Sequence, residues 1–267
     1  MIEDNSTKEQ IYVATDAHFF PAKGFELACK IANAHEKNIC FLLLAEDDTN
    51  LDSSEATLSS WCQQNQKDAV RKIRFHILSF EDDFTDFMER NEAVNIIFEL
   101  NEQSEYRNCK KALRLCRELR IPYYFIKSDQ QVDFNKVLVP IGFLVEEREK
   151  GVFCSGMGRI FHSEILLMPA KDYGSRAKQN TESIQKLMDK FSLPYHIISA
   201  EKDSFKIEKE AMKKAVELQA GLLMISASRD YGMDDILFGP KEQKVISKST
   251  VPVMVINPRK DLYTLCT

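Results

Sequence analysis

The chain repeats one pattern of apolar segments, and the second copy begins about halfway along the sequence. Three pairs of apolar runs carry the repeat: 11–15 with 137–141, 94–99 with 220–225, and 121–126 with 251–256. The first two pairs have the same offset (137 − 11 = 126 and 220 − 94 = 126), and the third has an offset of 251 − 121 = 130. An offset shared by separate segments indicates an internal duplication. The sequence therefore predicts two related domains, at residues 1–130 and 131–267.

Length and composition are consistent with two domains of ordinary size. A chain of 267 residues can give each domain its own apolar core, and 44% hydrophobic with 29% charged residues is typical of a globular protein. No apolar run is long enough to span a bilayer. The polar segment 1–10 lacks the basic start and apolar middle of a secretory signal. We therefore expect a cytoplasmic protein that does not bind membranes.

Cysteine usage and net charge narrow the function classes further. The seven cysteines are odd in number and form no C-x-x-C pair, which indicates a reducing compartment and favours cysteines that pack as small apolar residues. A structural zinc site is therefore not expected. The formal net charge of −5 argues against nucleic acid as a partner, since a basic face would have to form against the overall sign.

Apolar runs of five to eight residues alternate with segments of helical period, which is typical of a parallel sheet wrapped by helices. Strands are predicted near 10–15, 38–44, 72–79, 94–99 and 122–127, and again near 136–141, 163–169, 194–199, 221–226 and 251–256. Helices are predicted near 22–35, 54–68, 82–91 and 104–120, and again near 145–160, 174–190, 203–219 and 240–249.

The predicted fold class is α/β, with two tandem doubly wound domains that each contain a five-stranded parallel sheet flanked by helices. The polar segment 128–135 is the predicted linker. Ligands of such open sheets bind in the crevice beyond the carboxyl ends of the strands, so residues that directly follow strands are the candidates for function.

Asp16 directly follows the first strand, where a carboxylate could accept hydrogen bonds from a ribose or hold a metal ion. A structural role in the turn before Pro21 is the alternative. The equivalent residue of the second copy is Gly142, so that copy has lost the carboxylate. Asp16 and His18 also form the D-x-H start of a metallophosphoesterase motif, but no G-D or G-N-H segment follows to complete a two-metal site.

The loop after the fourth strand of the second copy, 226–240, contains two glycines and ends at a predicted helix. The apolar fourth strand, the Leu-Phe-Gly end of this loop, the helix at 242–248 and the final S-T-V-P-V-M-V-I run together resemble the universal stress protein family. The resemblance covers the whole chain as two copies and is strongest over 220–257. It implies a Rossmann-like fold of the adenine nucleotide alpha hydrolase type and a role in the stress response.

In nucleotide-binding members of that family, the loop reads G-x2-G-x9-G-[S/T] and cradles phosphates, while the Asp after the first strand contacts the ribose. With the motif placed on Gly239, its first two glycines become Ser226 and Arg229, and its final hydroxyl becomes Pro240. Glycine is needed there because the main chain must approach the phosphate closely. Asp230, Asp234 and Asp235 add negative charge to the same loop.

The first copy has no glycine in the corresponding segment 100–107, and Ser104 is expected to cap the helix that follows. The two copies thus divide the family's features, because Asp16 survives in one and a partial loop in the other. We expect a non-catalytic binding or regulatory module whose nucleotide sites are degenerate.

Two alternatives stay open at this point. The second domain could retain ATP, ADP or another small anion, and the candidate contacts are Ser226, Arg229, Gly232, Gly239 and Lys241, with Asp16 the candidate of the first domain. The chain could instead be a metal-dependent phosphoesterase that uses Asp16 and His18.

The resemblance also implies partners. The two domains would pack about a pseudo-twofold axis, as single-domain members of the family do in homodimers, with 123–126 and 253–256 near the domain contact. Further self-association and an unidentified protein partner are expected on the same ground.

Overall fold

The computed structural model describes residues 9–45, 50–79, 83–228 and 241–259. The chain divides into two compact units, Met1–Ser128 and Asp129–Thr267. The division falls at the start of the polar segment 128–135, where the sequence predicts the linker.

The first unit alternates strands and helices along the chain. Its strands are β1 (Gln10–Thr15), β2 (Asn38–Ala45), β3 (Ile73–Ser79), β4 (Ala93–Leu100) and β5 (Tyr123–Lys127). Its described helices are α1 (Ala22–His35), α2 (Leu51–Asn65), α3 (Phe84–Arg90) and α4 (Lys110–Leu115), with a short 3-10 helix at Gln66–Asp68. The strands are largely buried because both faces of a parallel sheet are covered by helices.

All pairings within the first unit are parallel, and the strand order is β3-β2-β1-β4-β5. Ile11 of β1 lies opposite Ile39 on one side and Asn95 on the other. The order reverses at β1 and β4, so the crevice for a ligand lies beyond the carboxyl ends of these two strands.

The second unit has strands β6 (Lys136–Ile141), β7 (Glu164–Pro169), β8 (Tyr195–Ile197), β9 (Leu222–Ser226) and β10 (Val253–Ile256). A 3-10 helix at Val145–Glu149 leads directly into α5 (Lys150–Phe161), and the other described helices are α6 (Arg176–Lys190), α7 (Ile207–Lys214) and α8 (Lys241–Lys248). The strand order is β8-β7-β6-β9-β10, again with parallel pairing throughout. The predicted α/β fold class is confirmed, and both units share one topology.

Several predicted elements are shorter than the sequence pattern indicates, and the helix predicted at 203–219 covers only Ile207–Lys214. The helix predicted at 104–120 covers only Lys110–Leu115, because Asn101, Ser104 and Asn108 accept hydrogen bonds from nearby backbone amides and stabilise turns instead. The strand predicted at 194–199 covers only Tyr195–Ile197, at the edge of its sheet.

The expectation that Ser104 caps the following helix is wrong. Its Oγ accepts a hydrogen bond from the amide of Tyr106 at 3.1 Å, while α4 begins only at Lys110 and has no side-chain cap at Cys109. Ser104 therefore stabilises a turn and not a helix start.

The six cysteines in the described ranges are free thiols. Cys40, Cys109, Cys116 and Cys154 are buried, as expected for cysteines that act as small apolar residues. None of the helices in those ranges is both long and apolar enough to cross a membrane.

Candidate functional site

Asp16 lies at the carboxyl end of β1, where the sequence places it, and both of its carboxylate oxygens accept backbone hydrogen bonds. Oδ1 accepts from the amide of His18 at 3.0 Å, which closes a local turn, and Oδ2 accepts from the amide of Glu105 at 3.1 Å. Glu105 belongs to the loop that follows β4. Asp16 therefore ties together the two loops that border the crevice of the first unit.

His18 is exposed, and its amide is held by Asp16. In the ranges that the structure describes, no cluster of three His, Cys, Asp or Glu side chains is arranged to hold a metal ion. A metallophosphoesterase would need ligands for two metal ions, and those residues do not form such a site.

Glu99 is a second carboxylate of the first unit and was not among the candidates from the sequence. It lies near the end of β4, is 3% exposed, and its Oε2 accepts from the amides of Lys23 at 2.8 Å and Gly24 at 2.9 Å. These amides belong to the first turn of α1, whose positive end attracts an anion. Burial raises the pKa of Glu99, although both amide hydrogen bonds oppose that rise. The single charged residue in this buried strand is the signal that could have found it.

Replacing Glu99 with alanine is expected to lower the free energy of unfolding by about 1–2 kcal/mol, because two amides at the start of α1 lose their acceptor. Glu99→Gln keeps one acceptor oxygen and should cost less. Urea unfolding followed by circular dichroism measures both, and an alanine variant as stable as the wild type would contradict the capping role.

In the second unit the position after β6 is Gly142, and Glu147 supplies a carboxylate from the adjoining 3-10 helix. Its Oε2 accepts from the amide of Gly142 at 3.0 Å and from Nζ of Lys150 at 2.7 Å, and Nζ also donates to the carbonyl oxygen of Pro140 at 2.6 Å. Burial alone would raise the pKa of Glu147, but the Lys150 ammonium and its hydrogen bond, the Gly142 amide and the charge of Lys241 together lower it.

Glu242 provides the corresponding carboxylate for the loop after β9. It lies in the first turn of α8, is 1% exposed, and its Oε1 accepts from the amide of Ser228. Burial raises the pKa of Glu242 to about 7. Ser226 is the last residue of β9 and is buried, so the structure places it at the root of this loop.

Lys241 begins α8, and its Nζ lies 3.4 Å from Oε2 of Glu208, so its charge is already paired within the unit. Burial would lower the pKa of Lys241, but Glu208 and the neighbouring Glu242 raise it. The remaining candidates, Arg229, Gly232 and Gly239, lie outside the described residues, as do Asp230, Asp234 and Asp235. The structure thus places Ser226 and Lys241 in the second unit and Asp16 in the first.

The two units share one arrangement at the ends of their central strands. Three loop amides donate to carboxylates of the same unit: Glu105 to Asp16 in the first, and Gly142 to Glu147 and Ser228 to Glu242 in the second. A phosphate would have to displace them and would be repelled by their charge.

Solved structures show which class of protein has this fold. A universal stress protein from Archaeoglobus fulgidus DSM 4304 superposes with a TM-score of 0.71 at 17% identity, covering 96% of this chain and 98% of that one. A protein from Pseudomonas aeruginosa UCBPP-PA14, provisionally described as a universal stress protein, gives 0.65 at 12% identity, with coverages of 97% and 96%. A functionally unknown protein from P. aeruginosa PAO1 gives 0.65 at 13% identity, with coverages of 96% and 95%.

No protein-family model matches the sequence, and no curated protein does. At identities of 12–17%, the structural likeness shows the fold, which is the one that universal stress proteins have.

Proposed function

We propose that this chain is a stress-response protein of the universal stress protein type that acts as a non-catalytic binding or regulatory module. The observation that carries the proposal is the occupation of the loop amides by Asp16, Glu147 and Glu242. The fold supports the universal stress protein type. The loop amides that already have carboxylate acceptors support a module that does not bind ATP.

The proposal follows from the chemistry of phosphate loops. Such loops bind polyphosphates because free backbone amides point at the phosphate oxygens. A hydrogen bond to a charged acceptor contributes about 1.5–3 kcal/mol, so an internal carboxylate competes well with an incoming phosphate for one amide. Around α8 the carboxylates of Glu208 and Glu242 are both buried, and a triphosphate would add negative charge next to them.

Titration of the full chain with ATP or ADP, with and without Mg²⁺, tests the proposal by thermal unfolding. A ligand at 100 times its Kd would stabilise the folded state by about 2.7 kcal/mol, and we expect no saturable shift. Mass spectrometry of small molecules released from the freshly purified protein should likewise show no adenine nucleotide.

The alternative is nucleotide or small-anion binding in the second unit, where Lys241 remains half exposed. Saturable stabilisation that disappears in Arg229→Ala and persists in Arg71→Ala would replace our proposal with this alternative. Arg71 is a matched control because its guanidinium pairs with Glu36 in the first unit, at 2.7 Å. Metal-dependent hydrolysis of a generic phosphoester, lost in Asp16→Asn, would instead support an enzyme.

A further inference from the structure

A cavity of about 420 Å³ lies in the second unit between the segment after β6 and the start of α6. Its described lining residues are Phe143, Leu144, Val145, Glu146, Arg148, Arg176, Gln179 and Asn180. Small-molecule sites commonly have volumes of about 300–1,000 Å³ and combine apolar walls with a few polar groups. This cavity has both features.

Asn180 fixes one side of the cavity. It is 2% exposed, and its Nδ2 donates to the carbonyl oxygens of Gly142 at 2.9 Å and Leu144 at 2.7 Å. Its Oδ1 accepts from Nε of Arg148 at 3.0 Å. All of the hydrogen bonds of Asn180 thus serve to position the loop and one guanidinium.

Arg148 is held through Nε, which leaves its two terminal nitrogens to bind another group. Arg176, the first residue of α6, lines the same cavity and is exposed. No carboxylate of the described ranges forms an ion pair with either guanidinium. Two guanidiniums in the lining of one cavity are suited to an anion, because each can form paired hydrogen bonds with carboxylate or phosphate oxygens.

Part of the lining is apolar. Leu144 and Val145 are 40% and 39% exposed although they are aliphatic, and the ring of Phe143 packs edge-on against Phe205 at a centroid distance of 5.6 Å. Exposed aliphatic side chains next to a charged group accommodate a ligand with an apolar body.

Charge selects the class of anion. Two arginines and the buried Glu146 are the charged side chains of its described lining, so cationic groups outnumber acidic ones there. This excess suits a singly charged anion better than a dianionic phosphate. We propose that this cavity binds a small organic monocarboxylate, with its carboxylate on Arg148 and Arg176 and its apolar body on Phe143, Leu144 and Val145.

The cavity adjoins the Gly142 amide that donates to Glu147, since Asn180 donates to the Gly142 carbonyl oxygen, but the guanidiniums of Arg148 and Arg176 take no part in that arrangement. A ligand in this cavity would make the proposed binding module responsive to a small molecule. The nucleotide titration therefore tests the proposed function, and the carboxylate titration separately tests the cavity.

Octanoate is a suitable probe, with octanol, octylammonium and octyl phosphate as matched compounds. We expect octanoate to produce saturable amide shifts in the NMR spectrum of the full chain, centred on 143–148 and 176–180. Octanol and octylammonium should bind at least about tenfold more weakly, because they offer the guanidiniums no carboxylate. Octyl phosphate should not bind more tightly than octanoate.

The variants Arg176→Gln and Arg148→Gln should each weaken octanoate binding by about tenfold or more, while Arg71→Gln in the first unit should leave it unchanged. Arg176 is exposed at a helix start, so its variant is expected to fold even if Arg148→Gln does not. Equal binding of octanol, retained affinity in Arg176→Gln, tighter binding of octyl phosphate, or shifts centred elsewhere would each overturn the proposal.

Discussion

Replacing Lys150 with methionine is expected to lower the free energy of unfolding by about 3–5 kcal/mol, because it leaves the Glu147 carboxylate buried without its cation. Lys150 is 1% exposed and gives hydrogen bonds to Glu147 at 2.7 Å and to the carbonyl oxygen of Pro140 at 2.6 Å. The variant therefore also removes the donor to a carbonyl group at the end of β6. Chemical unfolding at neutral pH measures the loss.

The loss should depend on pH. In the wild type the pKa of Glu147 is lowered. The ion pair therefore stabilises the folded state at pH values above the usual pKa of a carboxyl group, and this stabilisation disappears as pH falls through the lowered pKa. Without Lys150, burial favours the protonated carboxyl. The difference between variant and wild type should therefore shrink in acid.

A matched control is Lys178→Met in α6, where the ammonium is 80% exposed and lies 3.9 Å from Glu182. Exposed pairs contribute about 0–1 kcal/mol, so this change should have little effect. The double variant Lys150→Met with Glu147→Gln should recover part of the loss, since no unpaired charge remains. Equal effects of Lys150→Met and Lys178→Met would contradict the importance of the buried pair.

The sequence predicted the fold well because the buried strands are mostly apolar. Runs such as 38–44 in the first unit and 221–226 in the second correspond to the buried strands β2 and β9, since a strand covered on both faces needs no polar alternation. The prediction was poorest where local side-chain hydrogen bonds compete with helix, as at Asn101 and Ser104 before α4.

The candidate site was less predictable because it depends on contacts across the fold. Asp16 was found from its position after a strand, but its acceptance of the Glu105 amide, 89 residues away, is set by the tertiary fold alone. Glu242 was missed because in isolation it is an ordinary helix residue, and Glu99 because the charge in its strand does not show which amides it accepts from. The absence of glycine at 226 and 229 indicated a departure from the family's loop, without indicating that Glu242 accepts from the amide of Ser228.

Glu242→Gln should make the protein more stable at about pH 8, by about 2–3 kcal/mol, because the buried carboxylate there carries a charge that burial disfavours. The folded pKa of about 7 is raised from an ordinary value of 4.5. Below the ordinary value both folded and unfolded states hold the proton, and the contribution of Glu242 to stability is fully present. As pH rises through the folded pKa, the folded state must give up the proton and that contribution is lost.

The groups around Glu242 shift its pKa in both directions, and the net effect is upward. Burial is the main cause, and the Glu208 carboxylate adds to it, while the amide of Ser228 and the Lys241 ammonium act against it. Glutamine is neutral at every pH and can still accept from Ser228. The gain in stability should therefore appear at about pH 8, shrink as pH falls through about 7, and vanish only below about pH 4, where the wild-type side chain is neutral in both the folded and the unfolded state.

Thermal and urea unfolding across that pH range test the prediction, with Glu217→Gln as the control because Glu217 is exposed. Glu99 has a raised pKa as well and contributes to the slope of the wild type, so the quantity to compare is the difference between variant and wild type at each pH. A difference for Glu242→Gln that is the same at both ends of the range would show that Glu242 does not titrate in the folded protein between them. A constant gain would mean that Glu242 is a permanent anion at the amide of Ser228, and no gain at either end would mean that its carboxyl group stays protonated.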